Sequence, residues 1–253
     1  MPRTAAPSEL VPDVGRNASA ADLERAMLAR ANPADAAILM RFFKTGPGQY
    51  GEGDRFLGIR NPMTRRTAKE FALLPVPEAA RAAQSPWHEV RLCSLLILAH
   101  HYHRKDAGPA ARTDIFDRYA GLARRGFVNN WDLVDLTAPD ITGAYAYEHG
   151  TGVLERFAAS GALWEERIAV LSMFPFIRAG EIHIPFQMIT RFLGHRHDLM
   201  HKACGWMLRE IGKRDREALT AYLDQYVSVM SRTTLRYAIE HYSQAERQAF
   251  LAR

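Results

Sequence analysis

From Ser19 onward the apolar positions of the chain recur at three- and four-residue spacing, and strand-type alternation is nearly absent, so an all-α protein is expected. Ser19 stands where it can cap AADLERAMLARA, Asn32 with Pro33 opens ADAAILMRFFKT, and Pro62 opens MTRRTAKEFALL. Proline suits a first helical turn because the N–H it lacks has no intrahelical partner there. Between the last two segments lies GPGQYGEGDRFLGIRN. Its glycines do not form a phosphate-binding fingerprint, since no strand precedes them and no Gly-Lys-Ser/Thr follows. A shaped loop is expected instead, with Tyr50 exposed at its centre.

A second pattern has a longer period. RLCSLLILAHH from Arg91, DLTAPDITGAY from Asp135, RIAVLSMFPFI from Arg167, HKACGWMLREI from His201 and RYAIEHY from Arg236 each begin with a polar residue and continue through small and apolar ones. The steps are 44, 32, 34 and 35 residues (91 to 135, 135 to 167, 167 to 201, 201 to 236). That is the range of two-helix units, and each segment follows a short helix start: PWHEV, NNWDLV, LWEE, HRHDLM, SRTTL. The pattern predicts an α-solenoid, a superhelix of HEAT-like repeats with a concave binding face. The organisation expected is a loose tail over residues 1–18 and one HEAT-like repeat domain over 19–253. In equivalent positions, Arg91, Asp135, Arg167, His201 and Arg236 form a row along that face, mostly cationic with one acid in it. Five unrelated amphipathic helices in a globular bundle are the simpler alternative.

Composition narrows the class. With 47% hydrophobic and 24% charged residues the chain has ample material for a core, and a net charge of +5 leans toward a polyanionic partner. The two cysteines, Cys93 and Cys204, sit in apolar helical patterns, which supports neither a disulfide framework nor a cysteine metal site and suits a reducing cytoplasm. No apolar run is long enough for a signal peptide or a membrane span. His197 and His201 are spaced like a zinc-protease pair, but Asp198 stands where a glutamate is needed and no third ligand follows, so no metal site is expected.

The stretch NNWDLVDLTA at 129–138 carries the most chemistry. In a helix capped by Asn129 or Asn130, Trp131 and Asp135 share one face and Asp132 lies on another. A carboxylate beside an aromatic plate and a Leu/Val face needs a partner, a wet cleft or a function. An Asp135–Arg167 salt bridge between repeats would serve the first need, and core packing would account for the tryptophans.

FLGIRNPMTRR, WHEVRLCSLLIL, NNWDLVDLTAP, WEERIAVL and GWMLREIGKRD, in that order, resemble the AlkD-type DNA alkylation-repair glycosylases, which are built from HEAT-like repeats. The likeness runs over roughly residues 35–250. It implies an enzyme that hydrolyses the N-glycosidic bond of cationic alkylated purines, N3-alkyladenine and N7-alkylguanine, in duplex DNA and leaves an abasic site. By the same resemblance Trp131 and Asp135 look like the aromatic and acidic members of an active-site cleft, Arg167 its basic member, able to anchor a phosphate, and Trp206 its second aromatic wall. Trp164 reads as repeat packing. DNA contacts are expected from Tyr50, Arg65, Arg66, Arg91, His201 and Arg236, with Lys69 extending the stripe. Implied too are no cofactor, double-stranded DNA containing alkylated bases as the partner, and a cytoplasmic, nucleoid-associated monomer. The competing class is a non-catalytic HEAT-repeat scaffold that grips nucleic acid or protein, and the acid at 135 discriminates, because a phosphate binder gains nothing from it.

Overall fold

The computed structural model describes residue 15 and residues 17–253; of the tail expected over 1–18, residues 1–14 and 16 lie outside the described residues. Every regular element among the described residues is helical, apart from one isolated parallel bridge between Arg55 and Trp87. The chain is therefore all-α, as its periodicity predicts. Its contacts cluster in two compact units, one ending at His101 and one spanning Tyr102–Arg253.

The first unit contains α1 (Ala20–Leu28), α2 (Pro33–Phe42), α3 (Asn61–Glu70), α4 (Val76–Ala82) and most of α5 (His88–Tyr102). The predicted starts appear where the capping chemistry put them. Ser19 and Asp22 form a capping box, and the Asn32 side chain accepts from the backbone N–H groups of Ala34 and Asp35. Helix α1 is tied to α4 by Ala20 N–H donating to Glu78 at 2.9 Å.

The glycine-rich segment is a shaped loop, and a buried carboxylate shapes it. Glu89, at the start of α5 and 2% exposed, accepts from the backbone N–H groups of Leu57, Gly58 and Ile59 at 2.8, 2.8 and 3.0 Å. Gly58 has φ +85°, and a Cβ there would lie 2.0 Å from the Asn32 carbonyl oxygen, so only glycine lets the loop pass α2. Beside this clamp, His88 stacks on Phe56 at 4.3 Å and its Nδ1 lies 2.8 Å from Asp54. Burial pushes the Asp54 carboxyl up, but His88 and Arg91 outweigh it and hold it below the usual carboxylate range.

Two expectations change here. Arg91, assigned from the repeat register to a DNA-facing row, is 4% exposed; its guanidinium donates to Asp54 and, at 3.0 Å, to the Ser85 carbonyl. It holds the loop rather than facing solvent. Tyr50 is half-buried, not exposed, and its hydroxyl donates to the Phe42 carbonyl at 3.4 Å.

The second unit runs α6 (Pro109–Arg124), α7 (Trp131–Asp135), a π turn (Pro139–Gly143), α8 (Ala144–His149), a 3-10 turn (Thr151–Leu154), α9 (Glu155–Ala158), α10 (Leu163–Leu171), α11 (Phe174–Ala179), α12 (His183–Thr190), α13 (Asp198–Gly212), α14 (Arg216–Tyr226), α15 (Arg232–Ala238) and α16 (Gln244–Leu251). Helices α7, α10, α13 and α15 pack successively against one another, which is the row that the polar leaders Asp135, Arg167, His201 and Arg236 predict. The packing is dry: α10 is enclosed on all sides at Ile168, Ala169, Val170 and Leu171, and Met200, Ala203, Cys204 and Met207 line one side of α13, all of them 0% exposed.

Repetition is also written in the hydrogen bonds. Arg112–Glu148, Tyr147–Glu181, Thr190–Tyr222 and Arg216–Glu246 join positions 36, 34, 32 and 30 residues apart. Each links one repeat to the next, so the period fixes contact as well as sequence. At Gly205 a Cβ would stand 2.6 Å from the Thr234 carbonyl, so glycine lets α15 seat closely on α13.

The clamp on the loop gives a stability prediction. Glu89→Ala leaves three buried N–H groups without their acceptor and should lower unfolding free energy by about 3–5 kcal/mol in urea titration. A loss below about 1 kcal/mol would mean that the loop is held by other contacts.

Candidate functional site

Three helices of the second unit bring the site together, beginning with a cap. Asn130 is fully buried, and its side-chain oxygen accepts from the Trp131 backbone N–H at 2.9 Å. That cap sets the register of α7. Asp132 turns inward, 1% exposed, and its carboxylate accepts from the Leu133 N–H at 2.9 Å. Asp135, one turn after Trp131 and on the same side of the helix, meets α10.

There it forms a two-pronged ion pair. Arg167 Nε donates to Asp135 Oδ1 and Arg167 Nη2 to Oδ2, both at 2.8 Å. The third prong, Nη1, donates to the backbone carbonyl of Leu199 in the first turn of α13. The Arg167 side chain is 5% exposed and that of Asp135 13%, so the acid keeps an edge open while the cation lies beneath it. Burial pushes the Asp135 carboxyl above its ordinary value; the charge and hydrogen bonds of Arg167 pull against that push, and Asp132 adds to it. Behind the pair the buried Tyr119 hydroxyl shares a 3.0 Å hydrogen bond with Thr137.

The other residues singled out from sequence fall in several places. Trp131 and Trp164 are half-buried. Trp206, also half-buried, meets the edge of Phe174 at 5.6 Å and donates through Nε1 to Glu210 at 3.2 Å. It shares a face of α13 with Leu199, seven residues earlier, which puts it about 10 Å along the helix from the carbonyl that holds Arg167. His201 is half-buried and bonds through Nε2 to the His195 carbonyl. Arg236 is exposed and has no ion pair among the described residues.

In the first unit, Arg65, Lys69 and His100 rim an open groove of about 590 Å³ floored by Ala68, Ala72 and Leu96. Arg65 and Lys69 are exposed and make no ion pair among the described residues, whereas Arg66 pairs with Glu70 at 3.4 Å. The groove combines free positive charge with an apolar floor.

Among the described residues no group of three or more His, Cys, Asp or Glu side chains is placed to hold a metal ion, and no helix is long and apolar enough to cross a membrane. His197 instead caps α13, its ring accepting from the Leu199 N–H. Sequence reasoning missed the part played by the Leu199 carbonyl. A backbone acceptor leaves no signature in side-chain identities.

These features define a helical-repeat protein whose second helices converge on a largely buried carboxylate–guanidinium pair with the acid outermost. The model of the DNA alkylation repair enzyme family matches residues 23–242, and the chain belongs to that family. Membership makes it a DNA alkylation repair enzyme, with DNA as the substrate class. A solved structure named a predicted DNA alkylation repair enzyme from Enterococcus faecalis is similar in fold, with a TM-score of 0.64 and 17% identity over 85% of this chain and 97% of that one. No curated protein matches the chain.

The ion pair predicts its own titration. Arg167→Ala strands the Asp135 carboxyl without a counter-charge, so its pKa, followed by carbon-detected NMR, should rise further. Because the raised value favours the protonated acid in the folded state, the variant should lose about 3–5 kcal/mol at neutral pH and recover as pH falls through the raised Asp135 value, completely by the ordinary aspartate value. An unmoved Asp135 titration would mean that Arg167 does not set its charge.

Proposed function

We propose that the protein is a DNA glycosylase that removes cationic alkylated purines, N3-alkyladenine and N7-alkylguanine, from duplex DNA. The observation that carries this reading is the Asp135–Arg167 pair: a carboxylate with one edge open, held in place by a two-pronged guanidinium, in a chain of the alkylation-repair family. Base-excision work on nucleoid DNA in the cytoplasm follows from it.

The chemistry suits an acid that does not protonate its substrate. An alkylated purine already carries a positive charge, so when the C1′–N bond breaks both bonding electrons leave with the base, which departs neutral. Positive charge is then left on the sugar as an oxocarbenium ion. A carboxylate close to it stabilises that charge as it develops, and a low-dielectric surround strengthens the interaction. Each Asp135 oxygen uses one lone pair toward Arg167 and keeps another for a water molecule. Water held on Asp135 adds to C1′ and passes its proton to that carboxylate and on to solvent, leaving an abasic site.

In this reading Arg167 orients Asp135. The phosphate-anchoring role read from sequence fits poorly, because the guanidinium is buried and directed at Asp135 and Leu199. Trp131, one turn away on the same side of α7, supplies a flat face to the deoxyribose, and Trp206 with Phe174 continues the aromatic wall along α13. Arg65 and Lys69 in the first unit, with His201 and Arg236 in the second, supply the phosphate contacts. These hold the duplex by charge and carry no base specificity.

The test is release of free base from methylated duplex DNA by the purified protein. Asp135→Asn should abolish most of it while binding holds, since shape is kept and charge is lost; release at the unaltered rate would assign Asp135 a structural role. Trp131→Ala should slow excision at least tenfold, about 1.4 kcal/mol of barrier, with little change in melting temperature. Arg65→Ala with Lys69→Ala should weaken binding at all sequences and lower the salt slope by about two phosphate contacts. A scaffold would bind DNA and release no base.

A further inference from the structure

The turn that leads into α13 holds His195 and His197, the first turn of the helix adds His201, and all three rings bond to the backbone. His197 N–H donates to His195 Nδ1 at 3.0 Å, and Leu199 N–H donates to His197 Nδ1 at 3.1 Å. His195 Nε2 lies 3.0 Å from Glu166, the residue before Arg167, and His201 Nε2 bonds to the His195 carbonyl. A ring nitrogen that accepts a hydrogen bond carries no proton, so both acceptor rings are neutral and His195 presents Nε2–H to Glu166. The turn is thereby fastened to α10 on one side and to the first turn of α13 on the other.

Resting on the glycosylase reading above, we infer that His197 is a positioning residue for Asp135, acting through the Leu199 peptide and Arg167. The chain of contacts is continuous. His197 Nδ1 fixes the Leu199 N–H, the Leu199 carbonyl takes Arg167 Nη1, and the other two prongs of Arg167 hold Asp135. Among the described residues Asp135 has no hydrogen-bond donor besides Arg167, so its orientation is inherited from the fork, and the fork's one backbone anchor among them is Leu199. An aspartate displaced by about 1 Å loses much of its hold on a charge developing at a fixed atom.

The surroundings keep the ring in its accepting form. Burial disfavours a charged His197, the charge of Arg167 and any second proton on His195 or His201 would disfavour it further, and Asp198 opposes them. Lys202 and Thr233 bond to Asp198, which draws its charge away from the ring. The histidine pair that looks like a metal motif in the sequence thus has a different use, with one imidazole serving as a helix cap and the other fastening the turn before it.

The test compares His197→Ala with His197→Asn in the full-length protein. Asparagine is a strong N-cap whose oxygen can accept from the first turn, and alanine is not. His197→Ala should lower single-turnover excision of N7-methylguanine about tenfold while affinity for the same duplex stays within about twofold, and His197→Asn should restore the rate to within about threefold of the natural protein. In the NMR spectrum of the natural protein the Arg167 Nε–H signal should be sharp and protected from exchange, and it should broaden in His197→Ala but not in His197→Asn. Equal rates for both variants, or an unaltered Arg167 signal in His197→Ala, would overturn the inference. If the natural protein releases no base, the glycosylase reading fails, and the Arg167 signal alone still decides whether His197 positions the ion pair.

Discussion

The second unit is organised around a single constraint: a carboxylate and a guanidinium cannot both be buried unless each lone pair and each N–H directed inward finds a partner. Asp135 and Arg167 satisfy this with two parallel 2.8 Å bonds and a third to a backbone carbonyl, and those three bonds draw α7, α10 and α13 to one point. The same geometry leaves one side of the acid open. A pair buried on all sides would be structural only, and a fully solvated one would carry little electrostatic weight. At 13% exposure for the acid and 5% for the base, the pair lies between these limits, with the anion outermost.

The repeat is what makes such a placement possible. Successive second helices offer equivalent positions at intervals of about one repeat, so a polar residue at the head of each falls beside the head of the next. Most of these positions are filled by cations, and the acid among them meets the arginine of the following repeat. A broken helix after Asp135, with Pro139 opening a π turn, ends α7 at the residue that must face outward. In the first unit the equivalent head, Arg91, takes another path. Asp54, carried by the glycine-rich loop, captures it, and the loop becomes part of the core of that unit.

This difference marks where the sequence is legible and where it is not. Helix starts at Ser19 and Asn32, the burial of Cys93 and Cys204, the cap at Asn130 and the meeting of Asp135 with Arg167 follow from local rules and from repeat spacing. Burial of Arg91 and half-burial of Tyr50 do not, because both depend on how a loop of sixteen residues folds back on its own helices, and periodicity says nothing about that. The backbone partners were invisible for a related reason. Leu199 acts through its carbonyl and Glu89 through three N–H groups of Leu57, Gly58 and Ile59, and no side-chain identity advertises either use.

The central claim is that an ionised Asp135 does the electrostatic work at the sugar, and the pH dependence of single-turnover base excision, corrected for spontaneous loss of the alkylated base, tests it most directly. Burial raises the Asp135 pKa above the ordinary aspartate value, so the acid is fully charged only above that raised value. The account predicts a rate that is full at neutral pH and falls on acidification before an ordinary aspartate would protonate, with no such fall in the small residual rate of Asp135→Asn. A rate that stays level through the carboxylate range, or the same acid limb in Asp135→Asn, would contradict it.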